Sequence, residues 1–304
     1  MNHLTKKLFI LGSKDPEMSK IESILIQMNL EYTYATKDGE LCHPTNAYTA
    51  DNIINHNDVV FIECNIPSYT GCFFLIDHHN KGDYGYNLDY KDFLAASSVG
   101  QLLSFLLFED FSLTIKSLNL KRTKDAMSFG FSILNGSWVH SINDFDTIIV
   151  PHSIVLIAAI DHCLLDAYKG RCFGVDKKEL SGYRQESLAE NLNLSINQVS
   201  SQFKKFKKII KSFDILNLDI LDLTNIDLGE GYTEDYLLLR EASIFLNKPI
   251  AIKTKNKEIE KLMLLSLSEE QTSNFLKNKM FKNFSLSNVF GVPSRGYAGG
   301  IIQE

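Results

Sequence analysis

The sequence lacks the features that would assign it to several specialised classes. Its five cysteines are an odd number without a CxxC pair, so neither a closed disulfide framework nor a zinc ribbon is predicted. It has no apolar stretch of ~18 residues, and its N-terminal apolar run is too short for a signal peptide. The formal net charge of −6 argues against a long electrostatic contact with nucleic acid. These absences favour a reduced, cytoplasmic protein that spans no membrane.

The first half of the chain alternates short apolar runs with helical patterns. The runs "KKLFILGS", "LEYTYAT", "DVVFIEC" and "CFFLIDHH" have the length and composition of buried strands. A helix is predicted in "AASSVGQLLSFLLFEDF", with Ser97 or Ser98 as its N-cap. This alternation predicts an α/β fold whose N-terminal part is a doubly wound, mostly parallel sheet covered on both faces.

The character of the sequence changes after residue 180. Residues 181–212 are predicted to form a helical linker with a basic face, which includes the lysines of "KKFKK". Residues 213–304 then predict a second, smaller α/β domain that ends in a Gly-rich segment. The first domain is placed at residues 1–180.

Acidic residues and histidines follow several of the apolar runs. In parallel sheets, ligands bind beyond the carboxyl ends of the strands, so these side chains are predicted to share a site. Oxygen ligands with an imidazole favour Mn²⁺ or Mg²⁺, as one or two ions. The alternative is that acids follow strands because turns favour them. The residues concerned are Asp15, Glu17, Glu63, Asp77, His78, His79 and Asp161, the last of which ends a run interpreted as a further strand.

The order of these pieces resembles the DHH phosphoesterase superfamily. Asp77, His78 and His79 follow one apolar run, Glu63 ends the preceding run, and "ASSVGQLL" comes about twenty residues later. Asp161 occupies the place of the family's later acid. The resemblance covers roughly residues 8–165 and implies a metal-dependent hydrolase of phosphate esters.

The resemblance also implies a role for each matched residue. The metal ligands would be Asp15, Glu17, Glu63, His78 and Asp161, with Glu63 bridging and Asp161 on the second metal. His79 would contact the substrate phosphate, and Asp77 would orient the two histidines.

The sequence departs from the family pattern at three positions. Many members carry a histidine four residues before the first of these acids, where this chain has Leu11. Glutamates, Glu17 and Glu63, stand where aspartates are expected, and their extra methylene displaces the carboxylate. A one-metal site and an altered two-metal site both stay open.

The Gly-rich C-terminal stretch "FGVPSRGYAGG" is matched to the family's substrate-binding motif. Glycine lets the backbone approach a ligand closely, while an arginine can donate two hydrogen bonds to a phosphate. The alternative is a surface turn. The candidate substrate-binding residues here are Ser294, Arg295, Gly296, Gly299 and Gly300.

Two further residues have a functional and a structural interpretation. His152 could reach the site or cap the apolar run that follows it. The single tryptophan, Trp138, could stack on a base or pack in the core.

The resulting hypothesis is a metal-dependent phosphodiesterase or phosphohydrolase. Its expected substrate is a small phosphorylated molecule such as a short oligonucleotide, a cyclic nucleotide or another nucleotide. The acidic charge disfavours long nucleic acid, and a homodimer is left open. The alternative is a catalytically impaired DHH-like module that binds or sequesters a nucleotide, motivated by Leu11, Glu17 and Glu63. A pyrophosphatase is a third alternative.

Overall fold

The structure is a computed structural model of the chain. It describes residues 4–123, 130–135, 137–142, 147–212, 220–226, 228, 233–256, 259–292 and 296–303. The chain divides into two compact units, and each takes two segments of the sequence. The first comprises Met1–His162 with Cys172–Val175, and the second Cys163–Arg171 with Asp176–Glu304.

The first unit is built on a parallel sheet with the strand order β2-β1-β5-β6. A hairpin of β3 and β4 and an antiparallel sheet ordered β7-β10-β9-β8 complete its strands. The bounds are β1 Leu8–Leu11, β2 Tyr32–Tyr34, β3 Thr36–Lys37, β4 Glu40–Leu41, β5 Asp58–Ile62, β6 Cys72–Ile76, β7 Arg122–Thr123, β8 Gly130–Leu134, β9 Ser137–Ser141 and β10 Thr147–Ile149. The predicted parallel sheet is therefore confirmed.

Helices cover this unit and supply its core. They are α1 Pro16–Gln27, α2 Phe93–Ala96, α3 Ser98–Glu109, α4 Phe111–Leu118 and α5 His152–Tyr168, which continues into the second unit. All four residues of β1 are buried. Ile10 packs with β5 on one face, while Phe9 contacts Phe105 of α3 on the other, with ring centroids 6.3 Å apart. Burial on both faces explains why the strand is a continuous apolar run instead of an alternating one.

The order of the parallel strands creates a topological switch point. The chain leaves β1 to form β2 on one side and later places β5 on the other side of β1. Crossovers that leave in opposite directions open a crevice at the carboxyl ends of the two strands. The site described below lies at this end of the sheet.

The run that contains Asp161 is helical, which corrects our interpretation of it as a strand. It forms α5, in which residues 154–159 are all buried. A segment buried on all sides has no periodicity that separates helix from strand, but its 17 residues are too many for a typical buried strand. The backbone departs from helical angles at Cys163, with φ −143° and ψ 39°, next to the boundary between the units.

Among the described residues, the second unit combines the end of α5 and four further helices with a six-stranded sheet. The helices are α6 Lys177–Leu192, α7 Ile196–Ser212, α8 Glu234–Leu246 and α9 Glu269–Asn278. The strands, ordered β11-β12-β13-β16-β15-β14, are β11 Leu221–Asp222, β12 Ile250–Asn256, β13 Ile259–Leu265, β14 Met280–Phe281, β15 Phe284–Val292 and β16 Tyr297–Ile302. The segment 181–212, predicted as a helical linker, forms most of α6 and all of α7. Its apolar side chains, such as Phe203 and Phe206, lie in this unit's core.

No single helix in the described ranges has both the length and the apolar character needed to cross a membrane. Only Tyr90–Ala96 and Ser98–Glu109 taken together meet that test, as a pair bent by 51°.

A buried ion pair lies inside the second unit. The Glu241 side chain is 1% exposed, and its Oε2 accepts hydrogen bonds from Nε of Arg184 at 3.0 Å and from its Nη2 at 2.7 Å. Its other oxygen accepts from the Tyr168 hydroxyl at 2.6 Å. Burial opposes ionisation, but the arginine and the hydroxyl outweigh it and lower the pKa of Glu241. The carboxylate is thus charged and fully bonded.

Replacing this carboxylate should therefore be costly. We expect Glu241→Gln to lower the free energy of unfolding by about 3 kcal/mol or more, because it leaves the Arg184 charge buried without its partner. Lys282→Ala is a matched control, since it breaks the Lys282–Asp222 pair, whose lysine is 53% exposed. That control should cost less than ~1 kcal/mol. Equal losses in chemical denaturation would contradict this account.

Candidate metal centre

The predicted acids and histidines converge at the carboxyl ends of the parallel strands. Glu63 follows β5 directly, and its backbone is left-handed with φ 51°, which is uncommon for a residue other than glycine. Asp77, His78 and His79 follow β6. Asp15 is the N-cap of α1, where Oδ1 accepts the Met18 N–H at 2.7 Å. Glu63 and the three residues after β6 therefore lie at strand ends, whereas Asp15 lies at the start of a helix.

Asp77 is the hydrogen-bonding centre of the loop after β6. Its Oδ1 accepts the backbone N–H groups of His78 at 2.7 Å and His79 at 3.0 Å, and lies 3.0 Å from Nδ1 of the His79 ring. Its Oδ2 accepts the Tyr48 hydroxyl at 2.8 Å. Burial raises the pKa of Asp77, but the bonds from His79 and Tyr48 outweigh it and hold that pKa below its ordinary value. An ionised Asp77 thus fixes both histidines.

The His78 ring is oriented by a backbone carbonyl. Its Nδ1 lies 3.2 Å from the Ala96 oxygen, and because a carbonyl only accepts, Nδ1 carries the hydrogen. The Nε2 atom lies 2.9 Å from Oδ2 of Asp161 and 3.9 Å from Oε1 of Glu63. A ring held at Nδ1 by a carbonyl, with Nε2 toward carboxylates, is the arrangement of a metal-ligating histidine.

Four side chains bring donor atoms within 4.8 Å of one another, namely Glu17, Glu63, His78 and Asp161. Glu17 is 2% exposed, and its Oε1 accepts the Val99 N–H at 2.8 Å. Within the described part of the chain, Oε2 of Glu17 and Oε1 of Glu63 are buried without a hydrogen-bond partner. Buried carboxylate oxygens without donors are costly, so they fit a divalent cation as their partner.

A second group of donor atoms shares two members with the first. Glu63, His78 and His79 also place ligand atoms within 4.8 Å of one another. The exposed fraction of the His79 side chain is 31%, whereas that of His78 is 0%. His79 therefore lies on the open side of the site, where a substrate can reach it.

The carboxylates destabilise one another's charged forms. Burial, followed by the neighbouring carboxylates Glu63 and Asp161, raises the pKa of Asp15 to about 7. Burial and Asp161 likewise raise the pKa of Glu17 and of Glu63, against the lowering effect of the histidines on Glu63. Perturbed carboxylates that cluster in this way are typical of functional sites.

The structure also places the remaining predicted residues. Leu11, where the DHH pattern often has a histidine, is a fully buried residue of β1. His152 begins α5, nine residues before Asp161 and so roughly 13 Å away along the helix. Ser294 and Arg295 lie outside the described residues.

The three remaining glycines belong to the second unit. Gly296 has a left-handed backbone with φ 63°, and Gly299 and Gly300 are buried in β16. A Cβ atom at Gly299 would lie 2.6 Å from the Leu262 carbonyl oxygen, so strand packing alone requires this glycine.

Sequence reasoning missed one residue that supports the site. The buried Gln101 of α3 donates from Nε2 to the Asp77 carbonyl at 2.9 Å and to the Ala96 carbonyl at 2.8 Å. It thus links the DHH loop to the carbonyl that orients His78. Its place in "ASSVGQLL" was the available signal, but nothing in the residue type indicated these contacts.

Comparisons with known proteins add little to what the geometry of the site suggests about function. No family model matches the chain, and no curated protein matches it. Among solved structures it is similar to RecJ from Thermus thermophilus in complex with Mn²⁺, at 10% identity and a TM-score of 0.34. The match covers 99% of this chain and 50% of that one, so this chain spans about half of its length. A TM-score this low carries no argument about function.

The raised pKa of Asp15 predicts a pH-dependent stability in the absence of metal. Its ordinary value is 3.8, so the folded protein holds the proton more tightly than the unfolded chain. That stabilisation is complete below about pH 4 and is lost as the pH rises toward 7. In the presence of a chelator, the melting temperature of Asp15→Asn should therefore rise relative to that of the parent as the pH increases from about 5 to about 8. Asparagine retains the N-cap. A difference in melting temperature between variant and parent that does not change with pH would contradict the raised pKa of Asp15.

The position of Gln101 predicts an effect on metal affinity without direct ligation. Gln101→Leu should weaken Mn²⁺ binding by about 10–100-fold, because the carbonyl that orients His78 loses a donor. Ser104→Ala is the control, since Ser104 lies about one turn further along α3 and bonds the Gly100 carbonyl and Nε2 of His140 instead of the loop after β6. Isothermal titration calorimetry measures both, and equal affinities would refute the supporting role.

Proposed function

We propose that the protein is a metal-dependent phosphodiesterase or phosphohydrolase related to the DHH phosphoesterases. The observation that carries this proposal is the convergence of Glu17, Glu63, His78 and Asp161 at the carboxyl ends of the parallel strands. The two buried carboxylate oxygens without hydrogen-bond partners support a divalent cation there, and the oxygen-rich ligand set favours Mn²⁺ or Mg²⁺.

Each residue of the site would have a distinct task. Glu17, Glu63, His78 and Asp161 would hold one or two ions, with Asp15 at the edge of the cluster. When bound, such ions supply Lewis-acid stabilisation of a phosphoryl group and lower the pKa of a bound water. His79 has its Nδ1 toward Asp77, which leaves Nε2 as the ring atom that would contact a phosphate oxygen. Asp77 and Gln101 keep both rings in place.

The proposed substrate is a short oligonucleotide, a cyclic nucleotide or another small nucleotide. The resemblance of the motifs to the DHH superfamily suggests this class, and the net charge of −6 disfavours a long polyanion. The glycine-rich segment with Ser294 and Arg295 is the candidate for holding the substrate.

A second candidate function follows from Leu11. Its complete burial in β1 leaves no imidazole where many DHH enzymes have one, which favours a module that binds or sequesters a nucleotide without turnover. Metal stoichiometry separates the two, because a two-metal hydrolase binds two ions per chain and an impaired module one or none.

The decisive experiment is a substrate screen. The protein is incubated with Mn²⁺ and a panel of nucleotides, dinucleotides, cyclic dinucleotides and pyrophosphate, and released phosphate or nucleotide is quantified. Metal-dependent release from a nucleotide that Glu17→Gln abolishes supports the hydrolase. Saturable nucleotide binding without release supports the sequestering module. If neither release nor binding is observed, both candidate functions are overturned.

The adjacent histidines predict different losses. His78→Ala should reduce bound Mn²⁺ and abolish turnover, because Nε2 faces the carboxylate ligands. His79→Ala should retain most of the metal and lose turnover, since its ring lies on the open side. Metal content by mass spectrometry and activity on the screened substrate test this, and parent-like values for both variants would exclude the metal site.

A further inference from the structure

The first unit contains a cavity that is lined by different residues from the metal cluster. It has a volume of about 390 Å³ and lies among the turn before β7, the strands β9 and β10, the start of α5 and the segment Phe173–Gly174. This volume is in the range of small-ligand sites. None of the residues of the metal cluster lines it.

One wall of the cavity is aromatic. The Trp138 indole N–H donates to the Phe173 carbonyl at 2.8 Å, so the polar atom of the ring is satisfied. The residue is 8% exposed, so only a small apolar part of it faces the cavity. Phe93 and Phe173 hold it edge-on, with centroids 5.5 Å and 6.1 Å away. Gly174 lies against the indole with φ 73°, where a side chain would be strained and would crowd the ring. A rigid aromatic surface of this kind suits a planar ring.

The described lining of the cavity contains one lysine and no arginine. Lys121 and His152 are exposed and line it, and none of its described lining residues is acidic. The cavity also meets the N-terminal end of α5, whose dipole favours an anion.

We propose that this cavity binds a small planar aromatic anion, with the ring on the Trp138 side and the anionic group at Lys121 and His152. A nucleoside monophosphate and an aromatic carboxylate share this chemistry. The inference does not depend on the proposed hydrolase, because it uses neither the metal nor its ligands.

The single tryptophan makes the test direct. Because Trp138 is the only tryptophan, its fluorescence reports on this cavity alone. The full chain in chelator is titrated with AMP, 4-hydroxybenzoate, adenosine and inorganic phosphate, and free N-acetyltryptophanamide corrects for absorption by the ligand. We expect saturable changes with AMP or 4-hydroxybenzoate, and which of them binds identifies the anion's source. Adenosine and phosphate alone should bind about tenfold more weakly or not at all.

Variants locate the binding and separate it from the metal site. Lys121→Ala should weaken binding of the aromatic anion about tenfold, as expected for one lost charge-assisted contact. Lys116→Ala removes the same charge from the exposed surface of α4, outside the cavity, and should leave affinity unchanged. Glu17→Gln should also bind like the parent, even though it abolishes the proposed hydrolysis.

Four results would overturn the proposal. They are no saturable change with either aromatic anion, equal affinity for adenosine and AMP, parent-like binding by Lys121→Ala, or a signal lost in Glu17→Gln.

Discussion

The repulsion among buried carboxylates is the constraint on which the rest of the site depends. Glu17, Glu63 and Asp161 approach one another where water cannot screen them, and among the described histidines only His78 is buried within their cluster. Their pKa shifts express the same fact, because burial and mutual repulsion both favour the neutral acids. Protonation would relieve this repulsion, and a divalent cation among the same oxygens would offset it.

Two backbone positions next to these carboxylates have special conformational or steric requirements. Glu63 adopts a left-handed conformation directly after β5. Its Oε1 lies 3.9 Å from Nε2 of His78. A side chain at Gly12, just past β1, would collide with the Glu63 carbonyl. The switch point therefore needs one residue with an uncommon backbone and one with no side chain, at neighbouring strand ends.

Much of this arrangement was predictable from the sequence. Apolar runs that stop at acids located the strands and their carboxyl ends, and Ser97 marked the start of α3. The sequence predicts Asp161 in the cluster but places it at the end of a strand, whereas it lies on a helix. A segment that is apolar on all sides has no periodicity that distinguishes the two. Gln101 was not found, since an amide that bonds two carbonyls 5 and 24 residues away leaves no local pattern. The polar loop around Tyr48 was a candidate pocket wall, with a surface turn as the alternative, but its bond to Asp77 spans 29 residues and leaves no local pattern.

The division of the chain into two units that each take two segments limits how the protein can be divided into fragments. After leaving the first unit at His162, the chain contributes Cys163–Arg171 to the second unit and then returns Cys172–Val175 to the first. No single cleavage of the backbone can therefore release either unit whole. A fragment ending at His162 would keep every residue of the metal cluster, yet it would lose Phe173 and with it the carbonyl that accepts the Trp138 indole N–H. A gene split at this point would therefore leave the only tryptophan without its hydrogen bond.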